Sequence, residues 1–215
     1  MADFVHLHLH TLYSLLDGAI RIKDLMKTVQ AKGMKSVAVT DHGNLFGAID
    51  FYKKAKEAGV KPILGLEAYV AGEKGRTDRS ERIGRHLILL AKNEEGWANL
   101  RTLSSRAFTE GFYYDPRIDK QLLREHSKGL VGLTACLAGE VPRLVRQGDM
   151  DGARRVAREY RDIFEPDSFF LEVQSNGMKD QIEVNAKLAE LSESEGIPLA
   201  ATADLTLKIY SEDAK

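Results

Sequence analysis

The sequence predicts an α/β fold in which strands and helices alternate along the chain. Seven short apolar or β-branched segments recur, and most of the stretches between them have helical periodicity. This alternation is typical of a parallel sheet covered by helices. Such units wind into a closed or nearly closed barrel or lie as an open doubly wound sheet, and the pattern alone leaves both open. The candidate strands are Phe4 to Leu9, Ser36 to Thr40, Pro62 to Leu66, His86 to Leu90, Leu130 to Thr134, Phe169 to Val173 and Pro198 to Thr202.

The helices between these strands show apolar residues on one face. The clearest examples are Ile22, Leu25, Met26 and Val29, and later Ala153, Val156, Ala157, Tyr160 and Phe164. Several helices are expected to end in glycine just before the next strand, which is a common stop signal. These glycines are Gly33, Gly59, Gly129 and Gly196.

Length and composition fit one domain covering residues 1–215. With 215 residues, 43% of them hydrophobic, the chain can bury a full core. Its 31 basic and 32 acidic residues leave a formal net charge of -1. Global electrostatics will therefore not hold nucleic acid, and such binding needs a local patch or bound cations.

Cysteine content and hydropathy predict a soluble cytoplasmic protein. The single cysteine, Cys136, excludes an internal disulfide and is compatible with a reducing compartment. No apolar run approaches the roughly 20 residues of a membrane span. The N-terminus also lacks the layout of a signal peptide, so no membrane association is expected.

Three of the six histidines alternate near the N-terminus, at His6, His8 and His10. Alternate residues of a strand share one face. Burying three imidazoles side by side is costly unless each has a partner, and a divalent cation is a partner for several rings at once. The run therefore predicts a metal site, which we favour over a structural role.

Metal-ligating residue types also follow the carboxyl ends of the predicted strands, where parallel α/β barrels place their active sites. They are His8 and His10, Asp41 and His42, Glu67, Cys136 and Asp204. His86 is an exception because it begins its strand. Asp17 reads on its own as a turn residue. Cys136 is about as well explained as a small buried hydrophobe, and no partners for a cysteine nucleophile are identifiable.

A site that mixes imidazole, carboxylate and thiolate suits zinc, manganese or iron and contains too much nitrogen for calcium or magnesium alone. Several such ions held together clamp a phosphate ester by activating water and stabilising the leaving oxygen. Phosphoester hydrolysis is therefore the leading chemistry.

An insertion at Gly72 to Gly84 is predicted to be a surface loop beside the site. Its arginines, like Arg154, Arg158 and Arg161, are most simply a solvated face. Two interpretations stay open for Phe112, Tyr113, Tyr114 and Arg117: they stack on bases, or they anchor a loop against the barrel.

Six motifs together resemble the PHP (polymerase and histidinol phosphatase) family over essentially the whole chain. They are His8-Leu9-His10, Thr40-Asp41-His42-Gly43-Asn44, Gly65-Leu66-Glu67-Ala68-Tyr69, His86-Leu87, Ala135-Cys136-Leu137 and Ala201-Thr202-Ala203-Asp204. Residues 51–55, 111–114 and 116–119 resemble the branch of the family found in bacterial replicative DNA polymerases rather than the phosphatases.

The resemblance implies a distorted seven-stranded (β/α)7 TIM-like barrel with up to three metal ions held by nine residues. Carried over by motif, the ligands are His8, His10, Asp17, His42, Glu67, His86, Cys136 and Asp204. His6 drops out as a core or supporting residue. The ninth position, usually histidine, is Thr206. Because a neutral hydroxyl is a poor substitute for imidazole, we expect one weakened metal site, shared with Asp17 and His42, and two intact ones.

The resemblance also implies a function. The leading hypothesis is a metal-dependent phosphoesterase that uses two to three Zn²⁺ or Mn²⁺ ions, or iron, as a 3′ to 5′ exonuclease on a DNA 3′ end. Glu67, His10 and Asp204 would be its catalytic residues. A second hypothesis is a structural domain that stabilises the polymerase domains and docks a separate proofreading exonuclease. A third is a small-molecule phosphatase of the histidinol-phosphatase type. Palm, fingers and thumb domains are expected to be absent, so the chain itself is not expected to polymerise DNA.

Overall fold

The computed structural model describes residues 4–15, 17–82 and 84–203, in which seven strands form one curled, half-barrel sheet packed against helices. The strands are β1 (Ser36–Val39), β2 (Lys61–Val70), β3 (Arg85–Ala91), β4 (Arg117–Ile118), β5 (Leu130–Leu133), β6 (Phe169–Gln174) and β7 (Leu199–Thr202). The helices are α1 (Ile22–Ala31), α2 (Ala48–Glu57), α3 (Glu94–Thr109), α4 (Lys120–Glu125), α5 (Glu140–Arg146), α6 (Met150–Ile163) and α7 (Lys179–Glu195), and a short 3-10 helix covers Leu12–Ser14. The predicted fold class is confirmed.

The strands lie in the order β1-β2-β3-β5-β6-β7, and the two-residue β4 pairs with β2. Six of the seven predicted strands are confirmed, whereas β4 was missed because two residues carry no detectable pattern. The predicted glycine stops are confirmed at Gly33, Gly59 and Gly196, which have positive φ at or just after the end of a helix. Gly129 also has positive φ but lies in a turn after α4 has ended at Glu125. None of the helices in the described part of the chain is long and apolar enough to cross a membrane.

The predicted first strand, Phe4 to Leu9, is wrong as a regular strand. This segment lies beside β1, where His6 O accepts from Ala38 N at 2.8 Å and Leu9 O accepts from Thr40 N at 2.9 Å. The three-residue step from His6 to Leu9 thus lies opposite a two-residue step from Ala38 to Thr40. The Leu9 amide donates to the Thr40 side-chain hydroxyl at 2.9 Å. A side chain therefore replaces the next backbone partner and interrupts the ladder, so simple alternation does not hold.

The expectation of an all-parallel sheet is wrong at β3, which runs antiparallel to both β2 and β5. A parallel connection needs a crossover of a dozen or more residues, usually a helix. Residues 71–82 and 84, which join β2 to β3, contain no helix. This reversal puts the first residues of β3 at the edge where β2 ends, with His86 directly opposite Tyr69. It explains why His86 belongs to the site although it begins its strand.

The core is divided between the two faces of the sheet. Along β3, Leu87 and Leu89 pack in the large cluster formed with the helices. Ile88 and Leu90 belong to a smaller cluster with Leu133 of β5. Both faces of this strand are buried, as expected for a barrel-like sheet covered by helices.

Arg117 of β4 anchors the loop between β2 and β3, which settles one of the two interpretations left open for this residue. Its side chain is 1% exposed. The guanidinium donates to the carbonyl oxygens of Arg76 at 3.1 Å, Asp78 at 2.6 Å, Glu81 at 2.7 Å and Gly111 at 3.3 Å. One buried cation therefore satisfies four loop carbonyls and is unavailable for stacking on a base.

Several other arginines are held in ion pairs. Arg76 lies 2.6 Å from Glu110 and 2.9 Å from Asp119. Arg154 and Arg158 both contact Glu195, at 3.1 and 2.5 Å. These contacts favour the interpretation of the arginine clusters as solvated, salt-bridged faces. Phe112 and Tyr114, by contrast, are 48% and 57% exposed.

We predict that Arg117→Met lowers the free energy of unfolding by about 3 kcal/mol, because it leaves buried carbonyls without donors. Urea denaturation monitored by circular dichroism measures this change. Arg155→Met, at an exposed position, is the matched control and should change stability by less than about 0.5 kcal/mol. Equal stability of the two variants would contradict the anchoring role.

Candidate metal centre

Glu67, near the end of β2, lies at the centre of the site and is fully buried. Its Oε1 atom lies 2.9 Å from Nδ1 of His86 and 3.4 Å from Nε2 of His8. Its Oε2 atom lies 2.6 Å from Nδ1 of His42 and 3.2 Å from Nε2 of His10. One carboxylate is therefore shared by four imidazoles that come from three separate parts of the chain.

The first two histidines are oriented by hydrogen bonds at their Nδ1 atoms. His8 Nδ1 donates to Oε1 of Glu172 at 2.7 Å, and His10 Nδ1 lies 3.0 Å from the hydroxyl of Ser14. The two Nε2 atoms point to a common position, 3.1 Å apart. Partners of this kind fix a ring so that its other nitrogen faces a metal.

Asp41 supports the site through its side chain, and its backbone oxygen accepts from the Glu67 amide at 3.2 Å. The side chain accepts from the Ser14 hydroxyl at 2.8 Å, from the Thr11 amide at 2.6 Å and from the Thr11 hydroxyl at 2.8 Å. The Ser14 oxygen also accepts from the His42 amide at 3.1 Å. Asp41 therefore holds Ser14, which in turn positions His10 and the backbone of His42.

Two further predicted residues lie at the rim. Oδ2 of Asp17 lies 2.8 Å from Nε2 of His42, and Sγ of Cys136 lies 3.6 Å from Nδ1 of His86. The structure thus places both residues beside a central histidine. From the sequence, a turn role was the simpler interpretation of Asp17, and a buried core role explained Cys136 about as well as a ligand role.

Seven of the eight predicted ligands are thereby brought together: His8, His10, Asp17, His42, Glu67, His86 and Cys136. Asp204 and Thr206 lie outside the described residues. The weakened third metal site therefore stays a prediction. His6 stays out of the cluster, and its ring packs edge-on against Phe4 with centroids 4.9 Å apart.

Sequence reasoning missed Glu172 and Tyr69. Glu172 is fully buried on β6 and also accepts from Gln174 Nε2 at 3.0 Å. A usable signal existed, since a carboxylate inside the apolar segment Phe169 to Val173 needs a buried partner. The Tyr69 ring stacks on His42 with centroids 6.1 Å apart and meets His86 edge-on at 5.2 Å.

The buried carboxylates of the site are paired with positively charged imidazole before any cation binds. Burial on its own would raise the pKa of Glu67, but the charge of His8 and the close contacts with His42, His8 and His86 hold it well below its usual range. Burial would likewise lower the pKa of His8, but the carboxylates of Glu172 and Glu67 raise it well above the usual value. Two buried carboxylates therefore hold positive charge at His8.

The pKa values of His86 and His10 shift in opposite directions within the same site. Burial opposes protonation of His86, but contacts with Cys136 and Glu67 raise its pKa to about 10. Burial lowers the pKa of His10 to about 3, against the charge of Glu67 and together with that of His8. The cluster therefore contains both protonated and neutral imidazoles at neutral pH.

The residues fit divalent metal ions on chemical grounds. Ligand atoms of His8, His10 and Glu67 lie within 4.8 Å of one another, and so do those of His42, Glu67 and His86. Nδ1 of His42 and Oε2 of Glu67 are buried without a hydrogen-bond partner of acceptable geometry, although they lie 2.6 Å apart. Both are good ligand atoms, and Glu67 belongs to both groups, as expected of a carboxylate that bridges two ions.

Comparison with known proteins agrees with this description. Residues 6–176 match the PHP domain family. The DNA polymerase III alpha subunit of Helicobacter pylori strain J99 is 49% identical over 99% of this chain, and that of Treponema pallidum is 50% identical over 94%. The subunit from Thermus aquaticus is 48% identical over 94%. The chain spans only 17–18% of the length of these relatives.

Solved structures share the fold at low sequence identity. A Bifidobacterium adolescentis protein described as a metal-dependent phosphoesterase superposes with a TM-score of 0.59 at 16% identity, covering 96% of this chain and 88% of that one. An amidohydrolase from Chromobacterium violaceum gives a TM-score of 0.55 at 12% identity, covering 95% and 88%. These likenesses concern the fold alone.

We predict that Glu172→Gln lowers the affinity for Mn²⁺ about 10- to 100-fold, because His8 loses the carboxylate that orients and polarises it. Isothermal titration calorimetry measures the affinity. Glu165→Gln, at a half-exposed carboxylate paired with Lys92, is the matched control. Unchanged Mn²⁺ affinity in Glu172→Gln would contradict a supporting role for Glu172.

Metal binding should also release protons. Imidazoles bind metals in the neutral form, whereas the raised pKa values of His8 and His86 keep these rings protonated at neutral pH without metal. Affinity should therefore rise as pH increases from 6 towards the pKa of His86. Titrations at pH 7 in two buffers of different ionisation enthalpy should give a buffer-dependent heat, and identical heats would rule out proton release.

Proposed function

Because this chain belongs to the PHP domain family, we propose that it is a metal-dependent phosphoesterase that removes nucleotides from the 3′ end of DNA. The observation that carries the proposal is the buried Glu67 carboxylate shared by four imidazoles. The substrate follows from the relatives, whose shared name is that of a replicative DNA polymerase subunit.

The two ligand groups support this proposal for the metal-binding residues. His8 and His10 with Glu67 would hold one ion, and His42 and His86 with Glu67 a second. Asp17 and Cys136 would complete these sites from the rim, and Asp204 is proposed as a further ligand. Zinc and manganese suit this mixture of imidazole, carboxylate and thiolate. When bound, such ions polarise a phosphoryl oxygen and lower the pKa of a water molecule towards neutral pH.

The residues of the chain supply orientation and charge. Glu67 keeps its negative charge at the centre although it is buried. Ser14 and Glu172 fix the rings of His10 and His8, so that the ligand atoms are placed before a substrate arrives. In this proposal Glu67, His10 and Asp204 form the catalytic group.

The cations would also help to hold DNA. The net charge of -1 offers no general attraction for phosphate. Two divalent ions at the site would make its mouth positive, and the exposed Phe112 and Tyr114 rings are available for stacking on unpaired bases. Substrate binding should therefore depend on metal.

A second candidate function is favoured by one specific residue. Thr206 occupies the position where the family usually has a histidine ligand. A domain with one defective metal site is suited to a structural role, in which it would stabilise the polymerase domains and dock a separate proofreading exonuclease. We weigh the catalytic role higher because the other ligand types are present.

We predict that the chain shortens a 5′-labelled single-stranded oligonucleotide from its 3′ end in the presence of Mn²⁺. Glu67→Ala should reduce shortening to background, because it removes the group common to both metal sites. Gel electrophoresis of timed samples measures the products, and Glu165→Ala is the control.

Three outcomes separate the candidates. Shortening by wild type that is lost in Glu67→Ala supports the exonuclease. No shortening by a folded, Mn²⁺-binding chain refutes it in favour of the structural role, and Thr206→His then tests whether the ninth ligand is the cause. Faster hydrolysis of a small phosphate monoester than of the oligonucleotide identifies a small-molecule phosphatase.

A further inference from the structure

We propose that a cavity beside the metal centre binds the 3′-terminal nucleotide of the DNA and recognises its 3′-hydroxyl group. This inference rests on the proposed function, which it deepens by assigning the part of the substrate that the protein itself contacts. Hydrolysis of the terminal phosphodiester by one water molecule yields a deoxynucleoside 5′-monophosphate and a DNA shorter by one nucleotide. The cavity would hold the nucleotide that becomes this product.

The cavity shares two walls with the metal centre. It has a volume of about 360 Å³, in the range of small-ligand sites. One wall is Cys136, whose sulfur lies 3.6 Å from Nδ1 of His86. Another is Gln174, whose Nε2 lies 3.3 Å from Nδ1 of His8. A phosphate bound at the metals therefore has space beside it for the rest of its nucleotide.

Two buried amides supply unused acceptors at this cavity. Gln174 and Gln181 line it and are each 2% exposed. The Nε2 atom of Gln174 donates to Glu172 at 3.0 Å, and that of Gln181 donates to Oδ1 of Asn185 at 2.9 Å. These bonds fix which end of each amide is occupied. The Oε1 atom of each is buried and has no hydrogen-bond partner.

Buried acceptors without partners favour a ligand that donates hydrogen bonds, because a buried acceptor left unpaired destabilises the site. A deoxyribose 3′-hydroxyl and the N–H groups of a base are such donors. Only the terminal nucleotide of a strand has a free 3′-hydroxyl. An acceptor that pairs with this group therefore distinguishes a strand end from an internal nucleotide.

The charge of the cavity fits an anionic ligand. Among the described residues that line it, Arg146 is the charged one. Helix α7 begins at the cavity, with Met178 at its N-terminus and Gln181 in its first turn, and no side chain caps this end. A helix N-terminus favours negative charge. An arginine, a helix N-terminus and two free acceptors together suit a nucleotide better than a neutral metabolite.

The test is a binding measurement that needs no turnover. The chain is titrated in the presence of Mn²⁺ with thymidine 5′-monophosphate and with its 2′,3′-dideoxy analogue, which lacks the 3′-hydroxyl. Inorganic phosphate is the third probe. We expect the hydroxyl to tighten binding about 3- to 10-fold, the value of one hydrogen bond, and both nucleotides to bind more tightly than phosphate.

Variants test whether the increase in affinity from the 3′-hydroxyl arises in the cavity. Gln181→Leu should reduce the affinity for thymidine monophosphate to that for the dideoxy analogue, and should leave the analogue's own affinity unchanged. Gln181→Glu is a second variant that keeps the side-chain shape and should weaken both nucleotides through charge repulsion. Arg146→Ala should weaken both nucleotides equally. Gln121→Leu, at an exposed glutamine of α4, is the matched control.

Thermal unfolding and Mn²⁺ affinity confirm that each variant is folded and that its metal centre is intact. Equal affinity of wild type for the two nucleotides, or an undiminished hydroxyl effect in a folded Gln181→Leu, would overturn the inference. If wild type shortens DNA yet shows no hydroxyl effect, the cavity assignment alone fails. If it shows the effect but never shortens DNA, the proposed exonuclease function alone fails.

Discussion

The burial of a single carboxylate, Glu67, is the constraint on which the site depends. A carboxylate without solvent must be paired with positive charge or hydrogen-bond donors. Here the pairing comes from four imidazoles, and several of these rest on further groups, as His8 does on Glu172 and His10 on Ser14. The arrangement is therefore a network in which polar groups deep in the fold hold the ligand atoms at its edge.

The antiparallel direction of β3 brings His86 into this network. The loop before β3 contains no helix among the described residues, so the strand returns antiparallel and carries His86 back to the edge where Glu67 lies. Gly43, which follows His42 with a φ of +63°, allows the close packing, because a Cβ atom there would lie 2.9 Å from the Tyr69 ring. Arg117 then fixes the loop itself through hydrogen bonds to its carbonyl oxygens. The direction of β3, the turn at Gly43 and the buried Arg117 thus all stabilise the same edge of the sheet.

Much of this was accessible from the sequence, for identifiable reasons. Periodicity located six strands, and residue types at strand ends indicated His42 and Glu67. The errors came from interactions between distant residues. The direction of β3 follows from the absence of a helix among the described residues that connect it to β2. The irregular backbone near His8 depends on the hydrogen bond from the Leu9 amide to the Thr40 hydroxyl. Glu172 was overlooked because its role needs a partner 164 residues away.

If Glu67 belongs to two metal sites at once, its removal should empty both, and counting the bound metal ions measures this. Purified chain is loaded with Zn²⁺, freed of excess ions by gel filtration and assayed for metal per protein by mass spectrometry. We expect about two ions in the wild type, one for each ligand group, and loss of both in Glu67→Gln, with Glu165→Gln unchanged. A Glu67→Gln chain that is folded and keeps one or both ions would contradict a shared carboxylate.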